Sequence, residues 1–197
     1  NASTALAENK YGQTYQYTTG LTEPENITGG YLLELNGTKL DDSYDPKYDE
    51  ASGFITGKGS AMNVKSPEWC GKDAMAYISE YYQEFEDAVY AQDADGNYTG
   101  YNAQTGKYYY EYCDLNSLVQ AYLSGNSDAF YSSFFFYKDV DGLMYAGPVW
   151  DMELTGGGGW SGVITSDNTF INGRYLVQAL TQIPGFRAAV NNYYHNT

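Results

Sequence analysis

The sequence predicts an α+β domain, on three observations. A glycine-bounded apolar run from Gly29 to Gly37 reads as a buried strand followed by a turn. Between Asp73 and Ala91, the residues Ala74, Ile78, Tyr81, Tyr82, Phe85, Ala88 and Val89 recur at spacings of three and four, with Glu80, Glu84 and Asp87 between them. That is the pattern of an amphipathic helix. Two strand-like runs, Phe130 to Tyr137 and Leu143 to Val149, are joined by Asp139-Val140-Asp141-Gly142, whose Asp-Gly pair marks a hairpin. A chain of 197 residues has enough material for one domain, or for a large and a small lobe.

The remaining elements follow in order. Residues 1–28 are polar, weakly periodic and end in the Pro24-Glu25-Asn26 turn region, so they read as an irregular N-terminal segment. Asp41 to Gly53 is an acidic, solvated loop. Short strands are expected at Gly53 to Thr56 and Ala61 to Lys65, and Ser66-Pro67-Glu68 offers a helix start with proline in the first turn. Asp93 to Thr99 resembles the start of a calcium loop, but Tyr98 stands where the tight-turn glycine belongs and Gln104 replaces the closing glutamate. A glycine-rich hairpin leading into Tyr108 to Tyr112 is the reading adopted. Asp114 caps a second helix from Leu115 to about Ser124, with Gly125 at its end. Pro148 puts its run at an edge or strand end. Gly156 to Gly159 is a flexible loop. From Arg174 onward, Leu176, Leu180, Phe186 and Val190 keep helical spacing, and Pro184 separates two helices.

Composition removes whole classes of function. Ten Lys and Arg against 25 Asp and Glu give a net charge of −15, which repels phosphate backbones and anionic lipid surfaces. Nucleic acid and membrane surfaces are therefore not expected partners. No stretch approaches the roughly 20 apolar residues of a membrane span. The one histidine, His195, lies near the end, so serine–histidine triads and histidine-rich zinc sites are not expected. Chemistry here must run on carboxylates, amides, hydroxyls, lysine or a bound divalent metal. The 23 tyrosines, 22 glycines and low charge fraction resemble secreted, polymer-handling proteins. Cys70 and Cys113 are compatible with one disulfide or with two buried thiols.

Polar constellations interrupt the apolar elements at Gly125-Asn126-Ser127-Asp128 and at Pro148-Val149-Trp150-Asp151-Met152-Glu153. In an extended segment Asp151 and Glu153 share one side. Asp128 and Asp151 flank the same aromatic hairpin, so both are expected at one cleft. Paired carboxylates there suit phosphoryl transfer, one orienting the acceptor hydroxyl and another holding Mg²⁺, or glycoside hydrolysis.

Taken together, Gly29-Gly30-Tyr31-Leu32-Leu33-Glu34, Lys65-Ser66-Pro67-Glu68, Tyr112 to Tyr122, Gly125-Asn126-Ser127-Asp128, Phe136-Tyr137-Lys138-Asp139 and Gly147-Pro148-Val149-Trp150-Asp151 resemble, in order, the motifs of the spore coat protein H-like (CotH) kinase family. The resemblance covers roughly Gly29 to Arg187. It implies an atypical protein-kinase-like fold over residues 29–197. It also implies a secreted or spore-surface enzyme that uses ATP and Mg²⁺ or Mn²⁺ to phosphorylate a Ser/Thr hydroxyl of a protein. Motif by motif, Asp128 takes the catalytic aspartate's place, with Asn126 beside it, and Asp151 the metal ligand's. Tyr145 matches the aromatic that packs on adenine, and Glu34 and Lys65 fall on the nucleotide side.

Two departures from the family matter. Glu153 stands where the family has a second aspartate, and the N-terminal portion completing the nucleotide lobe is expected to be incomplete, leaving a fragment, a chain that needs its N-terminal remainder, or an inactive member. The competing class is a noncatalytic carbohydrate-binding or scaffold module of an extracellular polysaccharide assembly such as a cellulosome. Its mark would be a coplanar strip drawn from Tyr108, Tyr109, Tyr110 and Trp160, although alternation along a strand should turn Tyr109 away.

Overall fold

The computed structural model describes residues 3–38, 52–126, 129–150 and 175–196. Its frame is a seven-stranded antiparallel sheet with a long helix on one face, which agrees with the α+β expectation. The strands are β1 (Thr4–Glu8), β2 (Thr14–Thr18), β3 (Tyr31–Thr38), β4 (Gly53–Ile55), β5 (Ser60–Ser66), β8 (Phe134–Lys138) and β9 (Met144–Ala146), ordered β1-β2-β4-β5-β3-β8-β9. A separate small hairpin pairs β6 (Tyr101–Asn102) with β7 (Lys107–Tyr108). The helices are α1 (Lys72–Tyr90), α2 (Leu115–Leu123), α3 (Tyr175–Gln182) and α4 (Pro184–Asn196). Among the described residues, no helix is long and apolar enough to cross a membrane.

The core lies between α1 and the sheet face that carries Tyr15, Leu33, Leu35, Phe54, Met62, Val64, Phe134 and Phe136. Aromatic edges close it: Tyr82 packs on Phe54 and Phe136 at ring-centroid distances of 6.0 and 5.5 Å, and Phe85 meets Phe136 at 6.3 Å. Edge-to-face pairs of this kind add about 0.5–1.5 kcal/mol beyond the area they bury. Helices α2 and α4 pack on each other beyond β9, with Tyr122 edge-on to Phe186 at 5.8 Å.

Two expectations need correction. Residues 1–28 are not irregular throughout: β1 and β2 form a hairpin at the sheet edge, and β2 pairs with β4 through Tyr15 and Phe54. Burying Tyr15 against the distant core overrides the weak local pattern. Helix α1 starts at Lys72, next to the expected Asp73, whereas the helix start offered at Ser66-Pro67-Glu68 is not used: Ser66 ends β5, and the cap of α1 is remote. The Glu23 carboxylate accepts from the amides of Asp73 at 2.9 Å and Ala74 at 3.3 Å. Residue 71 must then be small, since a Cβ on Gly71 would lie 2.3 Å from a Glu23 oxygen.

The other elements stand close to expectation. Asp114 caps α2 by accepting from the Ser117 amide at 2.8 Å, and Gly125 follows with φ +64°. Asp93 accepts from the amides of Asp95 and Asn97, closing the turn before β6. Cys70 and Cys113 are buried free thiols, and burial pushes Cys70 up to about 12. The loops expected at Asp41 to Gly53 and Gly156 to Gly159 fall largely or wholly outside the described residues.

Glu86 joins α1 to the β4–β5 turn. Its carboxylate accepts from the Thr56 hydroxyl at 2.7 Å, the Lys58 amide at 3.1 Å and the Ser60 hydroxyl at 3.4 Å. Burial dominates over these bonds and raises its pKa to about 7 from an ordinary 4.5. An acid with a raised folded-state pKa contributes stability that is complete below its unfolded value and lost as pH rises through the folded one. Stability should therefore fall by about 3 kcal/mol from this group between pH 4.5 and 7. Urea unfolding of the wild type and Glu86→Gln across that range checks it: the difference between the two should grow with pH in favour of Gln, and parallel profiles would refute the assignment.

Candidate functional site

Strand β3 divides the sheet chemically. Tyr31, Leu33 and Leu35 face α1, so Leu32 and Glu34 lie on the opposite face. Register carries that face across its neighbours. Glu34 stands opposite Asn63 on β5 and Phe135 on β8, while Leu32 stands opposite Tyr137, which in turn pairs with Tyr145 on β9. Lys65 occupies the irregularity where Leu32 and Leu33 pair with Ser66 and Val64, and its ammonium reaches the Glu34 carboxylate at 3.6 Å. Three of the residues picked out in the sequence, Glu34, Lys65 and Tyr145, thus share one face.

A chain of contacts runs from the ion pair to the hairpin's far end. Phe135, opposite Glu34, packs edge-on to Trp150 with centroids 5.3 Å apart. The Trp150 indole donates to the Ser133 carbonyl at 2.8 Å, and its own carbonyl accepts from the Asn126 side-chain amide at 2.8 Å. Asn126 is buried, at 5% exposure, as are Ala129, Phe130 and Phe134 at the hairpin base. The residue two before Asp128 is therefore tied to the residue directly before Asp151. Between these points Phe130 and Ser133 hold left-handed φ values of 61° and 51°, a conformation costly for non-glycine residues and concentrated at functional sites.

Tyr145 stacks on Tyr137, with centroids 5.0 Å apart and planes within 9°. Sequence reasoning passed over Tyr137, although counting outward from the Asp-Gly turn pairs it with Tyr145. It also missed Asn63, whose buried Nδ2 has no acceptor among the described residues. Such an orphan donor costs about 1–3 kcal/mol. A lone asparagine in a strand carries no sequence signal for this. The Glu34–Lys65 pair is partly open to solvent, so it contributes at most about 1 kcal/mol to stability and its value lies in holding the ammonium in place. From β5 to β9 the patch crosses three strand spacings, roughly 14 Å, the scale of an extended nucleotide.

Asp128, Asp151 and Glu153 lie outside the described residues. Among the described residues, no group of three or more His, Cys, Asp or Glu side chains could hold a metal ion. No family model matches the chain, and neither the curated proteins nor the solved structures give a match.

What holds the face in register is Lys138, on the α1 side of β8. Its ammonium donates to the carbonyls of Thr28 at 2.5 Å and Gly142 at 2.8 Å and sits 4.6 Å from the centroid of the Tyr81 ring. Burial lowers its pKa from the ordinary lysine value. The close seating of residue 29 serves the same junction, since a Cβ on Gly29 would fall 2.1 Å from the Asp139 carbonyl carbon. Replacing Lys138 by Met keeps the stem and strips both carbonyls of their donor. The loss expected in chemical denaturation is about 3 kcal/mol, and a change below about 0.5 kcal/mol would show that the lysine does not fasten the hairpin.

Proposed function

We propose that this chain is a CotH-like atypical protein kinase, transferring the γ-phosphoryl group of ATP to a Ser/Thr hydroxyl of a protein at the cell or spore surface. The observation that carries the reading is the Asn126–Trp150 hydrogen bond, which draws the approaches to Asp128 and Asp151 together at the end of the aromatic, lysine-bearing sheet face. In this reading the Tyr145–Tyr137 stack offers the flat apolar surface for adenine. Lys65, held by Glu34, offsets phosphate charge. The orphan amide of Asn63 is a donor awaiting an acceptor on the same face.

Asp128 takes the proton of the acceptor hydroxyl as its oxygen bonds to the γ-phosphorus and the bond to the β,γ-bridging oxygen breaks, so that ADP leaves. Asp151 and Glu153 are the residues the family resemblance assigns to Mg²⁺ or Mn²⁺, which when bound offsets the charge on the phosphates. In a chain of net charge −15 that cation matters more than protein cations do.

Calorimetric titration with ATP in Mg²⁺ and in EDTA tests the reading. Binding should require the cation, and Lys65→Met and Tyr145→Ala should each weaken it by about tenfold. Asp128→Asn should leave binding intact and abolish transfer of labelled phosphate, because a base contributes mainly in the transition state. No binding under either condition, equal affinity in EDTA, or wild-type affinity in both Lys65→Met and Tyr145→Ala would overturn it.

A further inference from the structure

On the α1 side of the sheet, away from the face just described, two depressions meet at Tyr98, which lines both. One, of about 700 Å³, runs along the elbow between α3 and α4. The other, of about 420 Å³, lies between that elbow and the β6–β7 hairpin. No carboxylate is among the described lining residues of the larger, and Asp93 is the one among those of the smaller. The larger is bordered by the exposed amides of Gln178, Gln182 and Asn191 and by the Thr181 hydroxyl, with the half-buried rings of Tyr98 and Tyr122. Among its described lining residues the cation is Arg187, whose Nη1 donates to the carbonyls of Thr181 at 2.9 Å and Gln182 at 2.8 Å.

The smaller depression opens onto a shelf of tyrosines. Tyr108 and Tyr110 are 42% and 44% exposed, with ring planes within 4° and centroids 5.3 Å apart, and Tyr101 adjoins Tyr108 at 4.9 Å with its plane tilted by 52°. Tyr109 turns away from them, as alternation predicts, though by a route the sequence did not foretell. It is buried in a 3₁₀ turn, Tyr109–Glu111, its ring nearly perpendicular to that of Tyr110. The shelf is thus braced from beneath. Tyr108 is fixed further by its amide, which donates to the Glu111 carboxylate at 2.7 Å.

Parallel exposed aromatic rings beside amides and hydroxyls, with Arg187 bonded to backbone carbonyls and Asp93 to backbone amides, fit one class of ligand. A neutral glycan presents apolar C–H faces that lie on tyrosine rings and hydroxyls that exchange hydrogen bonds with glutamine and asparagine. Phosphorylated, sulfated or carboxylated polymers meet a protein of net charge −15, with the Asp93 carboxylate lining the smaller depression. We infer that the cleft running from the Tyr101–Tyr108–Tyr110 shelf past Tyr98 to the α3–α4 elbow binds a neutral oligosaccharide chain, independently of the nucleotide reading.

Affinity electrophoresis through gels carrying hydroxyethyl cellulose, xylan, galactomannan or polygalacturonate, followed by calorimetry with the matching hexasaccharide, tests this on the whole chain. At least one neutral polymer should retard the wild type, and polygalacturonate should not. Tyr108→Ala and Tyr110→Ala, both at exposed positions, should each weaken the interaction by about tenfold, and Gln182→Ala by a smaller factor. ATP binding by these variants should match the wild type. No retardation by any neutral polymer, retardation by polygalacturonate alone, or retardation unchanged in both tyrosine variants would overturn the proposal.

Discussion

The buried ammonium of Lys138 is the interaction on which the hairpin side of this structure depends. It gathers carbonyls from the segment before β3 and from the β8–β9 turn, and it rests on the Tyr81 ring of α1. A charge taken out of water at that depth is tolerable only with such partners, so the three elements must arrive together. Because Lys138 stands opposite Tyr31, the same contact sets the register of β8 on β3. A slip of one residue would turn Phe135 and Tyr137 into the core and expose Phe134 and Phe136. The placing of Glu34, Phe135, Tyr137 and Tyr145 on one face is therefore a consequence of where one lysine is buried.

That face and the core are two sides of the same strands, and they are held by different forces. Toward α1, the Phe54, Tyr82, Phe85 and Phe136 rings exclude water and supply stability. Away from it, the Glu34–Lys65 pair, the Tyr137–Tyr145 stack and the Asn63 amide, which has no acceptor among the described residues, contribute little or cost something. Groups that do not repay their place in folding free energy are the ones whose presence calls for a ligand. The α3–α4 cleft follows a similar logic, its amides facing outward from an otherwise apolar elbow.

Legibility in the sequence tracked the distance over which each feature is decided. Helix α2 was readable because Asp114 and Gly125 sit at its own ends, and the β8–β9 hairpin because Asp141-Gly142 lies inside it. The β1–β2 hairpin was not, since its strands are five residues each and their burial depends on pairing with β4 far along the chain. The start of α1 is legible to within one residue from its apolar spacing, but its cap is not: Gly71 has no side chain to cap with, and Glu23 does so from another part of the fold. At the site, Glu34, Lys65 and Tyr145 were picked out by motif, and the structure brings all three to one face. Tyr137 and Asn63 could be valued only once register was known. Asp128, Asp151 and Glu153 rest on motif resemblance, with Asn126 and Trp150 as their described neighbours.

The central claim is that a nucleotide occupies the sheet face opposite α1. The chain has three tryptophans, and the indole N–H of Trp150 ends the contact path from Glu34 through Phe135. Proton–nitrogen correlation spectra, with the Trp150 indole signal assigned by Trp150→Phe, can follow it directly as a non-hydrolysable ATP analogue and Mg²⁺ are added. The account predicts a saturable shift of that signal. No movement of it at saturating nucleotide, or the same movement in EDTA without Mg²⁺, would contradict the account.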